Sequence, residues 1–194
     1  MKYNAFIDCE GSLALQLGFL STATEKNGYL PHHEDIYIIP SESGEEGDLC
    51  GVATDGKRLH IVDPLDKSVG VFGLTPGYWK VFKKTKKPIV WAARIVDTSA
   101  DNRKFPDYKK VMPNGEPVYK TSFQGFCHNG VARWHNYGQL AKFLHDFPDT
   151  TAINLDFLHA LGMGFTWEVE WYGPARPLKF TESNRTAIIM PMHL

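Results

Sequence analysis

The sequence has few cysteines, no excess of charge of one sign and no long hydrophobic run. Its three cysteines, Cys9, Cys50 and Cys127, include no CxxC pair and cannot all be paired within one chain, which favours reduced thiols over a disulfide framework. No stretch approaches the roughly 18 apolar residues of a membrane span, and the first eight residues hold no apolar signal-peptide core. We therefore expect a cytoplasmic protein with no membrane association.

The charge balance excludes one mode of binding nucleic acid. The 194 residues include 21 Lys and Arg against 22 Asp and Glu, for a formal net charge of -1. A protein held on nucleic acid by bulk charge is normally basic overall. Contact with nucleic acid would therefore need a local basic patch.

Motifs of catalysis and cofactor binding are also missing. The sequence has no GxSxG, Walker A, HExxH or GxGxxG pattern, and no Cys–His spacing typical of a nucleophile. Residues 32–35 (His-His-Glu-Asp) are the one dense cluster of possible metal ligands. Adjacent histidines on a strand point to opposite faces and rarely bind one metal. We expect no catalytic residues, no metal and no cofactor.

The pattern of apolar residues predicts an α+β fold with many antiparallel strands and two short helices per domain. The predicted helices begin at residue 12 and cover 75–86, 137–147 and 156–161. The predicted strands cover 3–8, 36–39, 49–53, 58–62, 69–72, 89–96, 118–126, 130–134, 151–155, 165–171, 177–180 and 186–192. An Asp-Gly step at 55–56 predicts a hairpin between two of these strands. Two prolines and a glycine at 112–117 mark the domain boundary.

Four lysines have helical spacing. In a helix over 75–86, Lys80, Lys83, Lys84 and Lys87 would stack their ammonium groups on one face. Like charges on one face cost a few tenths of a kcal/mol per pair, which a nearby phosphate backbone would offset. A solvated lysine face is the alternative.

Three separated segments resemble the bacterial DNA sliding clamp family, the β subunit of the replicative polymerase. They are 53–59 (Ala-Thr-Asp-Gly-Lys-Arg-Leu), 105–113 (Phe-Pro-Asp-Tyr-Lys-Lys-Val-Met-Pro) and 188–194 (Ile-Ile-Met-Pro-Met-His-Leu). A shorter match at 153–158 is similar to the start of the family's last helix. The resemblance implies a DNA-clamp fold, with residues 1–113 as a middle-type domain and 114–194 as a reduced last domain. The family's first domain has no counterpart in this sequence.

The resemblance also implies a pocket between the two domains, where polymerases, the clamp loader and repair proteins insert a short peptide. Its apolar floor would comprise Leu59, Val111, Leu178, Ile188, Met190, Pro191 and Met192. Its polar rim would comprise Thr54, Gly56, Arg58 and Asn154, with Pro106 and Lys110 at the opening and Leu194 at the end. Lys57, Phe157 and His193 stand where the family has histidine, tyrosine and arginine, which affects partner preference.

Two functions follow from the resemblance. The first is a non-enzymatic processivity clamp that holds duplex DNA through Lys80, Lys83, Lys84 and Lys87. Because family rings have six domains, a two-domain chain would form a homotrimer. The alternative is a module that does not encircle DNA and recruits or competes for clamp-binding proteins.

Overall fold

The chain divides into two compact units. The computed structural model describes residues 3–9, 11–25, 30, 33–66, 73–83, 90–95, 105–124, 145, 152–161 and 166–192. Unit 1 is Met1–Pro106 and unit 2 is Asp107–Leu194. They separate a few residues before the expected boundary between residues 113 and 114. In the part of the chain that the structure describes, no helix is long and apolar enough to cross a membrane.

Unit 1 is an antiparallel sheet with one α-helix among its described residues. The elements are β1 (Tyr3–Cys9), α1 (Gly11–Ser21), β2 (Ile36–Pro40), β3 (Leu49–Thr54), β4 (Arg58–Val62), β5 (Gly77–Lys83) and β6 (Val90–Ile95). The strand order is β1-β6-β5-β2-β3-β4, and each neighbouring pair is antiparallel.

Helix α1 packs against this sheet, mainly on β3 and β4. Leu13, Leu17 and Leu20 recur at helical spacing, are buried, and belong to the face that packs against β3 and β4. The helix contains no ionisable side chain, and Leu15 is exposed on it. Burial of apolar surface, and not charge, therefore holds α1 in place.

Unit 2 is a second antiparallel sheet with a short helix. It contains a 3-10 helix (Tyr108–Val111), β7 (Tyr119–Gln124), α2 (Leu155–Ala160), β8 (Thr166–Trp171), β9 (Leu178–Glu182) and β10 (Arg185–Ile189). The strands pair in the order β10-β9-β8-β7. Side chains alternate along β8, so Trp167, Val169 and Trp171 are buried while Glu168 is exposed.

Most predicted strands are confirmed within a residue or two, as are the helix from residue 12 and the helix over 156–161. The strand predicted at 151–155 is wrong, because Ala152 forms only an isolated bridge and Leu155 already begins α2. The elements predicted at 69–72 and 130–134 lie outside the described residues. So does the helix predicted at 137–147, except for His145, which is helical.

The helix predicted over 75–86 is wrong, since residues 77–83 form β5. Gly77 has φ of 140°, which no helix accommodates, and the Trp79 indole N–H donates to the Thr75 carbonyl at 2.8 Å. Pairing with β2 on one side and β6 on the other then fixes the strand. Aromatic and β-branched residues between the lysines suit such a strand. Tertiary pairing thus overrides the favourable Thr-Pro start of a helix.

His60 of β4 is a buried imidazole next to α1. Its ring stacks on Phe19 with the centroids 4.2 Å apart, and Nδ1 lies 2.9 Å from the Phe19 carbonyl oxygen. Because a carbonyl oxygen only accepts, Nδ1 carries the proton. Nε2 is buried and has no hydrogen-bond partner among the described residues. Burial lowers the pKa of His60 from 6.5 to about 4.

The free energy of unfolding should therefore depend on pH through His60. The folded state keeps the ring neutral down to about pH 4, whereas the unfolded chain protonates it near pH 6.5. This contribution is fully present above about pH 6.5 and is lost as the pH falls towards 4. At 1.36 kcal/mol per pKa unit, urea denaturation should show a loss of about 2 kcal/mol between pH 7.5 and pH 5.0. A His60→Leu variant should lose less over the same range, and an equal loss would contradict the assignment.

Candidate functional site

The turn between β3 and β4 is closed by side chains. The Thr54 hydroxyl oxygen accepts from the Gly56 N–H at 3.0 Å, and Asp55 Oδ1 accepts from the N–H groups of Lys57 and Arg58 at 2.9 and 3.0 Å. Asp55 Oδ2 also receives the Arg58 Nε–H at 2.9 Å. Charge-assisted hydrogen bonds of this kind are stronger than neutral ones. The hairpin tip, residues 54–58, is therefore tightly fixed.

This network occupies the backbone donors of the hairpin tip. The N–H groups of Gly56, Lys57 and Arg58 are all engaged inside the turn, and the Thr54 hydroxyl donates to the Arg58 carbonyl at 2.7 Å. Gly56 and Lys57 are exposed, Arg58 is half-buried and Thr54 is buried. Of the predicted rim residues here, Thr54 therefore holds the turn, while Gly56 and Lys57 form its surface.

His33 packs against the hairpin tip. Gly56 has φ of 83°, and a Cβ atom built on it would lie 3.1 Å from His33 Cε1 and 3.5 Å from Nε2. The imidazole ring thus lies directly over the glycine. Only a residue without a side chain fits this close approach without strain.

The 3-10 helix Tyr108–Val111 presents exposed side chains. Val111 is 45% exposed, and Lys110 is also exposed. The Lys110 ammonium lies 3.7 Å from the Asp107 carboxylate. An exposed pair of this kind adds little to stability. Pro106, at the end of unit 1, is exposed as well.

A backbone bridge holds the segment after β10. The Met192 N–H donates to the Ala152 carbonyl at 2.8 Å, and the two residues pair antiparallel. Two residues beyond Ala152, the Asn154 side chain caps α2 by accepting from the Asp156 N–H at 2.9 Å. The bridge therefore fixes the segment of the exposed methionines beside the chain that leads into α2. Met190 and Met192 are 39% and 49% exposed.

The other predicted pocket residues lie mostly in the core of their own units. Leu59, Phe157, Leu178 and Ile188 are buried. Their side chains stabilise the two sheets, and a ligand would have to contact the exposed residues instead. Pro191 is half-buried. His193 and Leu194 lie outside the described residues.

Lys80 and Lys83 do not share a helical face, because both lie on β5. Residues three apart on a strand point to opposite faces of the sheet. The half-exposed Lys80 places its ammonium 3.3 Å from the Glu34 carboxylate. Lys83 ends β5, and Lys84 and Lys87 lie outside the described residues. Contact of these lysines with DNA stays a prediction.

Solved structures of bacterial DNA polymerase III β subunits are similar to this chain. The subunit from Borrelia burgdorferi matches with a TM-score of 0.59 at 14% identity, over 99% of this chain and 65% of that chain. The β chain from Streptococcus pneumoniae matches with a TM-score of 0.59 at 13% identity, over 100% and 66%. The Helicobacter pylori β clamp bound to a DNA ligase peptide matches with a TM-score of 0.55 at 12% identity, over 100% and 67%.

These likenesses define the fold. The chain has the α+β fold of the bacterial DNA sliding clamp, and it spans slightly less than two thirds of the length of the first two of these relatives. No protein-family model matches the chain, and no curated protein matches its sequence. Among the described residues, no group of three or more His, Cys, Asp or Glu side chains could hold a metal ion.

Two residues that shape the hairpin tip, Asp55 within it and His33 against it, were absent from the predicted site. Asp55 could have been found, because an aspartate followed by glycine often bonds the N–H groups of its own turn. His33 could not have been found, because its contact with Gly56 is non-local and no sequence pattern signals it.

Replacing Gly56 by alanine tests the contact with His33. Gly47 is the matched control, since its φ of 87° is similar and a Cβ atom there would have nothing within 4 Å. Gly47→Ala should cost about 1 kcal/mol of unfolding free energy from backbone strain alone. Gly56→Ala should cost more, because the imidazole ring must also move, and adding His33→Ala should remove the difference. Equal costs for the two glycine variants in urea denaturation would contradict the close packing.

Proposed function

We propose that this protein is a sliding-clamp-like processivity factor without catalytic activity. It holds duplex DNA without reading its sequence and docks polymerases or other partner proteins through a short linear peptide. The observation that carries the proposal is the clamp fold over 99% of the chain. The segments that are similar to the family's docking pocket support it, because they expose the apolar side chains of Val111, Met190 and Met192.

Peptide docking would depend on the exposed apolar side chains of unit 2. Val111, Met190 and Met192 present apolar surface to solvent. Covering such surface contributes roughly 25 cal/mol per Å². The flexible thioether of methionine adapts to different partner side chains. The bridge between Met192 and Ala152 holds the methionine segment in place before a partner arrives, which lowers the entropic cost of binding.

DNA holding would depend on lysines at and after the end of β5. Lys80 is paired with Glu34, so Lys83, Lys84 and Lys87 carry this part of the proposal. Contacts with phosphates are insensitive to base sequence. Three copies joined head to tail would supply six domains for a ring.

One observation favours the alternative of a module that does not encircle DNA. Helices α1 and α2 contain no Lys or Arg, and the net charge of the chain is -1. A protein of this kind would keep the docking surface and compete for clamp-binding proteins. Oligomeric state and retention on DNA distinguish the two functions.

Removing the exposed methionines should weaken docking. We expect Met190→Ala together with Met192→Ala to weaken binding of the DNA ligase peptide that binds the Helicobacter pylori clamp by at least about ten-fold, because apolar contact area is lost. Fluorescence anisotropy with the labelled peptide measures the change. Val118→Ala is the control, since Val118 is also an exposed apolar residue of unit 2 and no docking role is assigned to it. If the methionine variant binds the peptide as tightly as the parent protein, the proposed docking surface is wrong.

Retention on circular DNA tests the ring. We expect mass photometry at micromolar concentration to show a trimer, and the protein to remain on nicked circular DNA and to leave it after linearisation. Replacing Lys83, Lys84 and Lys87 by glutamate should reduce retention, and the reduction should be smaller at high salt because phosphate contacts are screened. A monomer with peptide binding but without retention on DNA would instead establish the alternative function.

A further inference from the structure

Arg176 lies in the turn between β8 and β9, where other residues of unit 2 hold its side chain in place. Its Nη2 group donates to the Asn114 carbonyl at 3.1 Å and to the Asn114 side-chain oxygen at 3.3 Å. Its guanidinium carbon lies 5.7 Å from the centre of the Tyr172 ring. The turn is closed by the Arg176 N–H, which donates to the Gly173 carbonyl at 3.2 Å. The exposed guanidinium is therefore restricted in position before any ligand binds.

The ring on which Arg176 lies is also fixed. Tyr172 is buried, and its hydroxyl donates to Glu170 Oε2 at 3.0 Å. Lys179 donates to the same oxygen at 2.9 Å, and the Lys120 ammonium lies 3.1 Å from Oε1. These hydrogen bonds, above all the one from Lys179, lower the pKa of Glu170 to about 2. Glu170 therefore stays ionised, and the two lysines balance its charge without Arg176.

The guanidinium keeps donors for a ligand. A guanidinium presents N–H donors from Nε and from both amino groups. Asn114 accepts only from Nη2, so the N–H groups of Nη1 and Nε remain. No carboxylate in the described part of the chain forms an ion pair with Arg176, including Glu116, whose charge acts on the Tyr172 hydroxyl. A guanidinium held in this way suits the oxygens of a carboxylate or a phosphate.

The turn of Arg176 lies at the same end of the unit 2 sheet as the exposed methionines. Leu178 of β9 pairs with Ile189 of β10, and this is the last pair of the two strands. Met190 follows Ile189, and Arg176 stands two residues before Leu178, so both lie just beyond that pair. Because neighbouring strands are about 5 Å apart and each residue advances about 3.3 Å, the two backbones are within roughly 10 Å of each other. An extended peptide that contacts Met190 could reach the guanidinium with its next few residues.

We propose that Arg176 binds the carboxylate of an acidic residue that flanks the apolar residues of a docked peptide. This assignment rests on the proposed docking function and adds the charge of the preferred partner. A DNA phosphate would also suit a guanidinium. The peptide is favoured because Arg176 lies beside the exposed apolar side chain of Met190. Both neighbouring lysines pair with Glu170, and a run of phosphates would need several unpaired cations.

Two peptides that differ only in charge test the assignment. Both contain the DNA ligase peptide of the Helicobacter pylori complex, flanked at each end by two glutamates in one and by two glutamines in the other. Fluorescence anisotropy with the full chain at low salt should show about three-fold tighter binding of the glutamate peptide, and high salt should reduce this preference.

Variants assign the preference to the arginine. Arg176→Gln should abolish it and Arg176→Glu should reverse it, while Arg176→Lys should keep part of it because the charge remains. A residue that only ties Asn114 to the turn would give the same result with lysine as with glutamine. Lys120→Gln is the matched control, since it removes another exposed cation of unit 2 and should leave the preference unchanged. Urea denaturation of each variant verifies that it folds.

Each outcome bears on a different part of the proposal. Equal binding of the two peptides by the parent protein, or a preference that survives Arg176→Gln, would overturn the role of Arg176 and leave docking intact. An equal loss of preference in Lys120→Gln would also overturn it, because net charge alone would then explain the result. Absence of binding by either peptide would overturn docking and this role together. Loss of duplex DNA retention in Arg176→Gln without a change in peptide preference would assign Arg176 to phosphate contact instead.

Discussion

The Asp55 carboxylate organises the hairpin between β3 and β4 of unit 1. It receives two consecutive backbone N–H groups through one oxygen and the Arg58 guanidinium through the other. Hydrogen bonds to charged groups contribute about 1.5–3 kcal/mol each. By satisfying these donors internally, the carboxylate removes them from the surface that a ligand would meet. The backbone of the tip is therefore fixed by bonds within the turn itself.

Unit 2 carries the exposed apolar side chains of the proposed docking surface. Its core is filled by large side chains of β8 and β9, including Trp167, Trp171 and Phe180, all of which are buried. The strand ends at Ile189, and the following methionines are much less buried. Their backbone is nevertheless fixed by the bridge to Ala152. A rigid backbone that exposes flexible apolar side chains suits the binding of several different partners.

Local sequence patterns predicted most of the strands, but they failed for β5, where pairing with other strands determines the secondary structure. Alternation of apolar residues and the Asp-Gly step located β3, β4 and their turn, because these signals depend on neighbouring residues alone. The region of β5 begins with Thr75 and Pro76 and carries lysines at helical spacing, which favours a helix locally. Pairing with β2 and β6 outweighs that preference. The fold was predictable from the three similar segments, whereas the contact of His33 with Gly56 joins positions far apart in the sequence.

The lack of lysine and arginine on α1 and α2 has a consequence for the thermodynamics of any complex with DNA. Each phosphate neutralised by such a residue releases condensed counterions, and the slope of log affinity against log salt is about -0.9 per contact. Because α1 and α2 supply no such cations, the ions would have to be released by other residues, and the proposed contacts of Lys83, Lys84 and Lys87 would set the slope. At high salt, where these contacts are screened, the residence time on DNA would depend on topological enclosure.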